Sequence, residues 1–111
     1  MDLHWIEARI RYRTPEEGGR KTGVFSGYRG QFYYDGDDHD GFQYFPDRLE
    51  QLVELGEQVR AHVRFRIQRW EEVHRHKIHV GKRFEIREGR KVVGDGVVTL
   101  LEVPAVEVAS Y

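Results

Sequence analysis

From His4 onward the chain alternates. His4, Ile6, Ala8, Ile10 and Tyr12 fall on one side of the pattern, and Trp5, Glu7, Arg9, Arg11 and Arg13 on the other. Successive side chains of a strand point to opposite faces, so this spacing predicts a half-buried strand with three arginines outward. The pattern breaks over Thr14–Gly23, where Pro15 and Gly18-Gly19 predict a long turn. Gly27-Tyr28-Arg29-Gly30 then leads into an aromatic strand, Gln31-Phe32-Tyr33-Tyr34. Asp35–Gly41 reads as a loop at a solvated hairpin tip, and Phe42, Tyr44 and Phe45 as a short strand. The stretch from Pro46 through Leu49, Leu52, Val53 and Leu55 suggests a helical turn or two before Gly56.

The clearest alternation is Val59, Ala61, Val63, Phe65 and Ile67 against Arg60, His62, Arg64, Arg66 and Gln68. It predicts a second strand with a β-branched and aromatic inner face and a basic outer one. Arg69–His76 is open between a loop and a helical turn. Ile78, Val80, Phe84 and Ile86 suggest a strand with a bend at Gly81, and Glu88-Gly89 a turn. Val92–Val103 is strand-like, interrupted by Gly94 and Gly96. Many strands without two long helices favour an all-β barrel or small sandwich.

A length of 111 residues fits one domain spanning 1–111 and one core. The chain has no Cys, which removes disulfides, thiolate metal sites and a cysteine nucleophile. No apolar run approaches the length of a membrane span, and nothing at the start resembles a signal peptide. The expected location is therefore cytoplasmic, with no membrane partner. The net charge of -1 hides strong segregation. Residues 35–57 hold 1 basic and 8 acidic side chains, whereas residues 58–91 hold 11 basic and 4 acidic ones. A local basic face can attract phosphate whatever the total.

Catalytic and metal chemistry find little support. The run Asp35, Asp37, Asp38, His39 and Asp40 misses calcium-loop spacing, since a loop starting at Asp35 would put Pro46 where Glu belongs. His74 and His76, placed on one side of a strand with His79 near, would offer zinc two ligands but no third. Gly18-Gly19-Arg20-Lys21-Thr22 lacks the glycine spacing of a phosphate-gripping loop, and Gly94-Asp95-Gly96 lacks a dinucleotide fingerprint. Glu16-Glu17 and Glu71-Glu72 are adjacent pairs that point in different directions. The reading is a non-enzymatic binding domain with no catalytic residues, no metal and no cofactor. The basic strands and turns divide evenly between a phosphate-binding face and a solvated surface neutralised by acids elsewhere.

Two long motifs carry a resemblance. Thr14-Pro15-Glu16-Glu17-Gly18-Gly19-Arg20-Lys21-Thr22 followed by Phe25-Ser26-Gly27-Tyr28-Arg29-Gly30-Gln31-Phe32-Tyr33 resembles a stretch of the third domain of bacterial elongation factor Tu. So does Gly81-Lys82-Arg83-Phe84-Glu85-Ile86-Arg87-Glu88-Gly89-Arg90-Lys91-Val92-Val93-Gly94-Asp95-Gly96-Val97-Val98, in the family's order. The similarity covers about residues 6–101, with a divergent middle. It implies a single closed or nearly closed antiparallel β-barrel of about six strands. The expected core is Ile6, Ala8, Ile10, Tyr12, Phe32, Val59, Ala61, Val63, Phe65, Ile67, Phe84, Ile86, Val97 and Leu101.

In that family the domain helps bind aminoacyl-tRNA through the T-stem backbone. The matching positions are Arg20, Lys21, Gln31, Glu88 and Gly89, and Arg87, Arg90 and Lys91 would widen the footprint. The implied partner is tRNA or another structured RNA. A protein partner or second copy on the family's interdomain face, and a small enzyme with an unrecognised site, are the other readings. The family's GTPase domain and middle barrel lie outside these residues, so neither GTP binding nor hydrolysis carries over. Four departures set expectations. Gly30 stands for a usual Pro and loosens its turn. Asp40 stands for a hydroxyl-bearing contact residue and would repel phosphate. Arg90 stands for a Gly and puts the turn geometry in question. Asp95 stands for a small apolar residue and should sit at a rim, in water or paired.

Overall fold

The alternation near the start becomes strand β1 (Leu3–Tyr12), and the one over 59–67 becomes β5 (Gln58–Arg66), in the computed structural model, which describes residues 2–111. These strands pair antiparallel over their whole length, with Ile6 opposite Val63 and Ala8 opposite Ala61. The remaining strands are β2 (Gln31–Tyr34), β3 (Asp37–His39), β4 (Phe42–Tyr44), β6 (Arg83–Glu88) and β7 (Lys91–Leu100). All seven form one antiparallel sheet in the order β3-β2-β6-β7-β1-β5-β4, curled into a nearly closed barrel. Helix is confined to α1 (Ile67–Glu72), α2 (Ala105–Val108) and two 3₁₀ turns, Pro15–Glu17 and His74–His76.

The strand beyond the expected six is β3, in the acidic stretch read as a loop. Asp35 and Gly36 carry φ of 49° and 88°, which suits a two-residue hairpin turn whose twist matches the flanking strands. Tyr34 therefore pairs with Asp37, and the acids continue as a polar strand. Pro46–Gly56 forms turns, not helix, and Ile78 and Val80 lie outside β6.

The core holds Ile6, Ala8, Ile10, Tyr12, Phe32, Val59, Ala61, Val63, Phe65, Phe84 and Ile86 as expected, with Phe32 stacked on Phe84 at 4.2 Å. Three expected members are elsewhere. Ile67 opens α1 and is half-buried. Val97 faces outward opposite Arg9 and Arg83, and Leu101 is exposed. The cause is the two glycines. Gly94 and Gly96 face inward, and a Cβ on Gly96 would stand 2.2 Å from Phe84 Cζ. With these positions inward, Val98 enters the core and Val97 cannot. Val93 is also buried because a register shift between Ile86 and Arg87 leaves it as an extra residue.

The seam between β4 and the chain entering β2 closes through one isolated bridge, Tyr28 to Gln43. The Gln43 side chain is fully buried there. Its Oε1 accepts from the Tyr12 hydroxyl at 2.8 Å, and its Nε2 donates to the carbonyls of Gly30 and Gly41. Burial pushes the Tyr12 phenol well up, so it remains a donor.

Two outward side chains, Trp5 and His62, are nevertheless buried. The C-terminal segment covers them. Val103 N donates to Trp5 O at 2.9 Å, and the Tyr111 ring stacks on Tyr44 at 4.7 Å. His62 Nε2 lies 3.0 Å from Glu7 Oε1 and its Nδ1 lies 2.9 Å from the Tyr111 hydroxyl, whose pKa burial raises to about 12.

Replacing Gln43 by Ala leaves the Tyr12 hydroxyl and two backbone carbonyls without partners inside the seam. The expected cost is about 2–4 kcal/mol, read as a shifted midpoint in urea denaturation. A loss under about 0.5 kcal/mol would show that closure does not depend on this amide.

Candidate nucleic-acid interface

Two turns distant in sequence meet at one end of the barrel. The first is built by Thr14 and Glu17. Glu17 Oε1 accepts from Thr14 N at 2.9 Å and from Thr14 Oγ1 at 3.1 Å, while Gly18 carries a φ of 85° that only glycine adopts freely. Gly19 follows for a different reason, since a Cβ there would lie 2.1 Å from the Arg13 carbonyl oxygen. This compact turn delivers Arg20. Its Nε donates to Thr22 O at 3.1 Å, its Nη1 pairs with the Glu88 carboxylate, and its guanidinium lies 5.0 Å from the Tyr28 ring centre.

The second turn joins β6 to β7. Glu88 pairs with Lys91, so Gly89 and Arg90 alone make the connection. Gly89 takes a φ of 60° and Arg90 has no positive φ. The expected conflict at Arg90 is absent, because glycine already sits at the one position that requires it. Glu88 accepts from both Arg20 and the Tyr28 hydroxyl, and these donors hold its carboxyl below the usual range although burial opposes them.

Gln31 sits directly across from Arg87 in the β2–β6 pair. Gln31, Arg87, Glu88, Gly89, Tyr28 and Arg29 line one depression. Arg87 lies 4.2 Å from the Tyr33 ring centre, and its Nη1 is 3.9 Å from Asp38 Oδ1. Lys21, Arg90 and Lys91 are exposed beside these groups in sequence. Gly30 also lines this depression, and a Cβ there would meet Ile86 Cγ2 at 2.4 Å.

Gln31 also lines a second depression with Asp38, His39, Asp40, Arg66, Arg69 and His74. Sequence reasoning placed Arg66 outward but did not join it to Gln31, and it missed Arg69. The two acids reach the same face, as feared for phosphate binding, though Asp38 is drawn to Arg87. Several of the other arginines are neutralised by acids. Arg13 grips Asp95 with two bonds of 2.8 Å, Arg11 pairs with Glu17, and Arg60 pairs with Glu7 and Asp47. Asp95 is thus exposed and paired, as expected for a carboxylate on this barrel.

The histidines do not converge as strand neighbours. His74 and His76 lie on a 3₁₀ turn. His74 Nδ1 contacts the Tyr34 hydroxyl at 2.6 Å, while His76 and His79 lie beside the carbonyls of Glu71 and Val80. Glu7, His62 and Glu107 do come together, but Arg60 Nη1 stands 2.9 Å from Glu7 Oε1 and 4.0 Å from Glu107 Oε1. A guanidinium already supplies the positive charge there.

A family model for the elongation factor Tu C-terminal domain matches residues 3–102. The chain belongs to that family. The match takes in both turns of the interface, which this member of the family carries on one nearly closed barrel. No helix among its described residues is long and apolar enough to cross a membrane.

His74 gives the site a pH signature. It is 1% exposed, and burial lowers its pKa to about 4. An unfolded histidine titrates near 6.5. Between those values only the unfolded chain takes the proton, so stability falls as pH drops through this window. The expected loss from His74 is about 2 kcal/mol between pH 7.5 and pH 5. Urea midpoints across that range should show it, and the slope should flatten in His74→Phe. An equal slope in that variant would assign the acid sensitivity to other groups.

Proposed function

We propose that this domain is a non-enzymatic binding module for structured RNA, a tRNA stem among them. The observation that carries the reading is the convergence of the Arg20 turn and the Glu88–Gly89 turn beside Gln31. Arg20, Lys21, Arg87, Arg90 and Lys91 supply positive charge for phosphate oxygens. Gln31 and Glu88 supply an amide and a carboxylate for a ribose 2′-hydroxyl or a base edge, and Gly89 lets a backbone approach closely.

The Arg20–Glu88 pair gives this surface a defined resting state. A phosphate competing for Arg20 releases the Glu88 carboxylate, which then accepts from a ribose hydroxyl. The exchange replaces one charge-assisted bond by two contacts on the ligand. It also favours RNA over DNA, because DNA lacks the 2′-hydroxyl. The exposed large apolar side chains, Leu3, Phe25, Leu49, Val80, Leu100, Leu101 and Val106, all lie outside the polar groove that would take RNA.

The test is fluorescence anisotropy of an RNA hairpin at several salt concentrations. The double variant Arg20→Gln, Lys21→Gln should bind more weakly and lose about two from the slope of log affinity against log salt. A matched DNA hairpin should bind the parent protein less tightly. A folded double variant with unchanged affinity and slope would overturn this surface.

A further inference from the structure

The outer face of β4 and β5 holds a second cavity that the groove around Gln31 leaves unexplained. Strand register puts Trp5, Arg64 and Phe42 in one row and Leu3 and Arg66 in the next. Where β5 gives way to α1, Leu3, Phe42, Arg64, Arg66 and Ile67 help enclose about 590 Å³, with Asp2 and Asp40 also in the lining. That volume is in the range of small-molecule sites.

The arginines in this cavity differ from their paired neighbours on the face. Arg60, on the same strand, is held by Glu7 and Asp47, and Arg13 is held by Asp95. Among the described residues neither Arg64 nor Arg66 has an acid within ion-pair distance. Arg64 instead lies 4.4 Å from the Phe42 ring centre and 5.6 Å from that of Tyr44. Packing on two rings restrains its side chain, so little rotamer freedom remains to be lost on binding.

We infer that this cavity seats a single unstacked nucleotide of a bound RNA, next to the stem that occupies the groove. Each part of the lining matches one part of a nucleotide. Leu3, Ile67 and Phe42 offer an apolar wall to a base, and Arg64 and Arg66 offer donors to its phosphate. Asp2 and Asp40 would repel a bare anion but accept from ribose hydroxyls or a base amino group. Continuity supplies the link to a helix. Arg66 and Asp40 line both this cavity and the depression containing Gln31, and Gln31 lines the groove at Glu88. A strand leaving a stem over Gln31 therefore passes Arg66 and reaches the cavity. The inference rests on the RNA reading and narrows it to a stem flanked by an overhang or a bulged nucleotide.

The experiment compares one RNA hairpin with a blunt end against the same hairpin carrying a 5′ overhang, a 3′ overhang or a one-nucleotide bulge. At least one extended form should bind about tenfold tighter than the blunt form. Arg64→Gln and, separately, Phe42→Leu should remove that increment and leave blunt-hairpin affinity in place, in variants whose thermal melts show them folded. Equal affinity for all four RNAs, or an increment that survives Arg64→Gln, would overturn the nucleotide seat while leaving the stem reading intact. If no RNA binds, the stem reading fails by itself. Adenosine and uridine monophosphates, titrated while the Leu3 and Ile67 methyl signals are followed by NMR, then decide the cavity alone. Saturable shifts support a nucleotide seat, and unmoved signals reject it.

Discussion

Closure of this barrel depends on the buried amide of Gln43. At β4 the backbone contributes one isolated bridge, Tyr28 to Gln43, with a second, Val24 to Val53, beyond the strand, so the side chain does part of what a longer ladder does elsewhere. Gln43 is suited to it because one amide both accepts and donates. It takes the Tyr12 hydroxyl from the opposite side of the interior and serves two glycine carbonyls. Buried polar groups are costly unless paired, and here each atom of the amide finds a partner. The arrangement ties β1 to the chain that becomes β2. It thereby fixes Gln31, one residue after Gly30, relative to the rest of the barrel.

Electrostatics on the outside follow the same economy of pairing. Arginines are abundant, and half of them are tied to carboxylates, several of these brought across the sheet by register or by neighbouring turns. Arg13, just past β1, reaches Asp95 on β7, and Arg60 with Glu7 spans β5 and β1. Exposed pairs of this kind add little stability each. Their larger effect is to remove field from most of the surface. Among the described residues Lys21, Arg90 and Lys91 at the turn end have no such ties, and neither have Arg64 and Arg66 at the cavity, so attraction for anions remains at these places.

Strands with strict alternation were legible from residues alone, because β1 and β5 run unbroken beside each other. Period two fails wherever the register shifts, and β7 shifts twice. Its glycines looked like interruptions but are inward positions emptied for Phe84 and Tyr12. Polarity misled in the other direction at β3, where an Asp-Gly turn was the stronger signal than the acids around it. At the interface, the meeting of Arg20 with Glu88 was legible through the family resemblance, since no local pattern links residues 68 apart. Arg69 was hidden by the ambiguity of its segment. The neutralisation of Arg11, Arg13 and Arg60 was hidden because partner choice is a property of register.

The sheet ends in two strands of three residues each, β3 and β4. The outer side of β4 is already taken by the Tyr28 bridge. β3 presents Asp37 and Asp38 along a very short run of backbone. A free strand edge invites another chain to add itself, and brevity with negative charge is a known protection against that. The consequence is colloidal. Crowded copies of this domain cannot readily grow into a continuous sheet, and like charge at the one open border repels them before backbones meet. Contacts with other molecules are thus left to side chains on the faces and turns, where they can form and part without rebuilding the barrel.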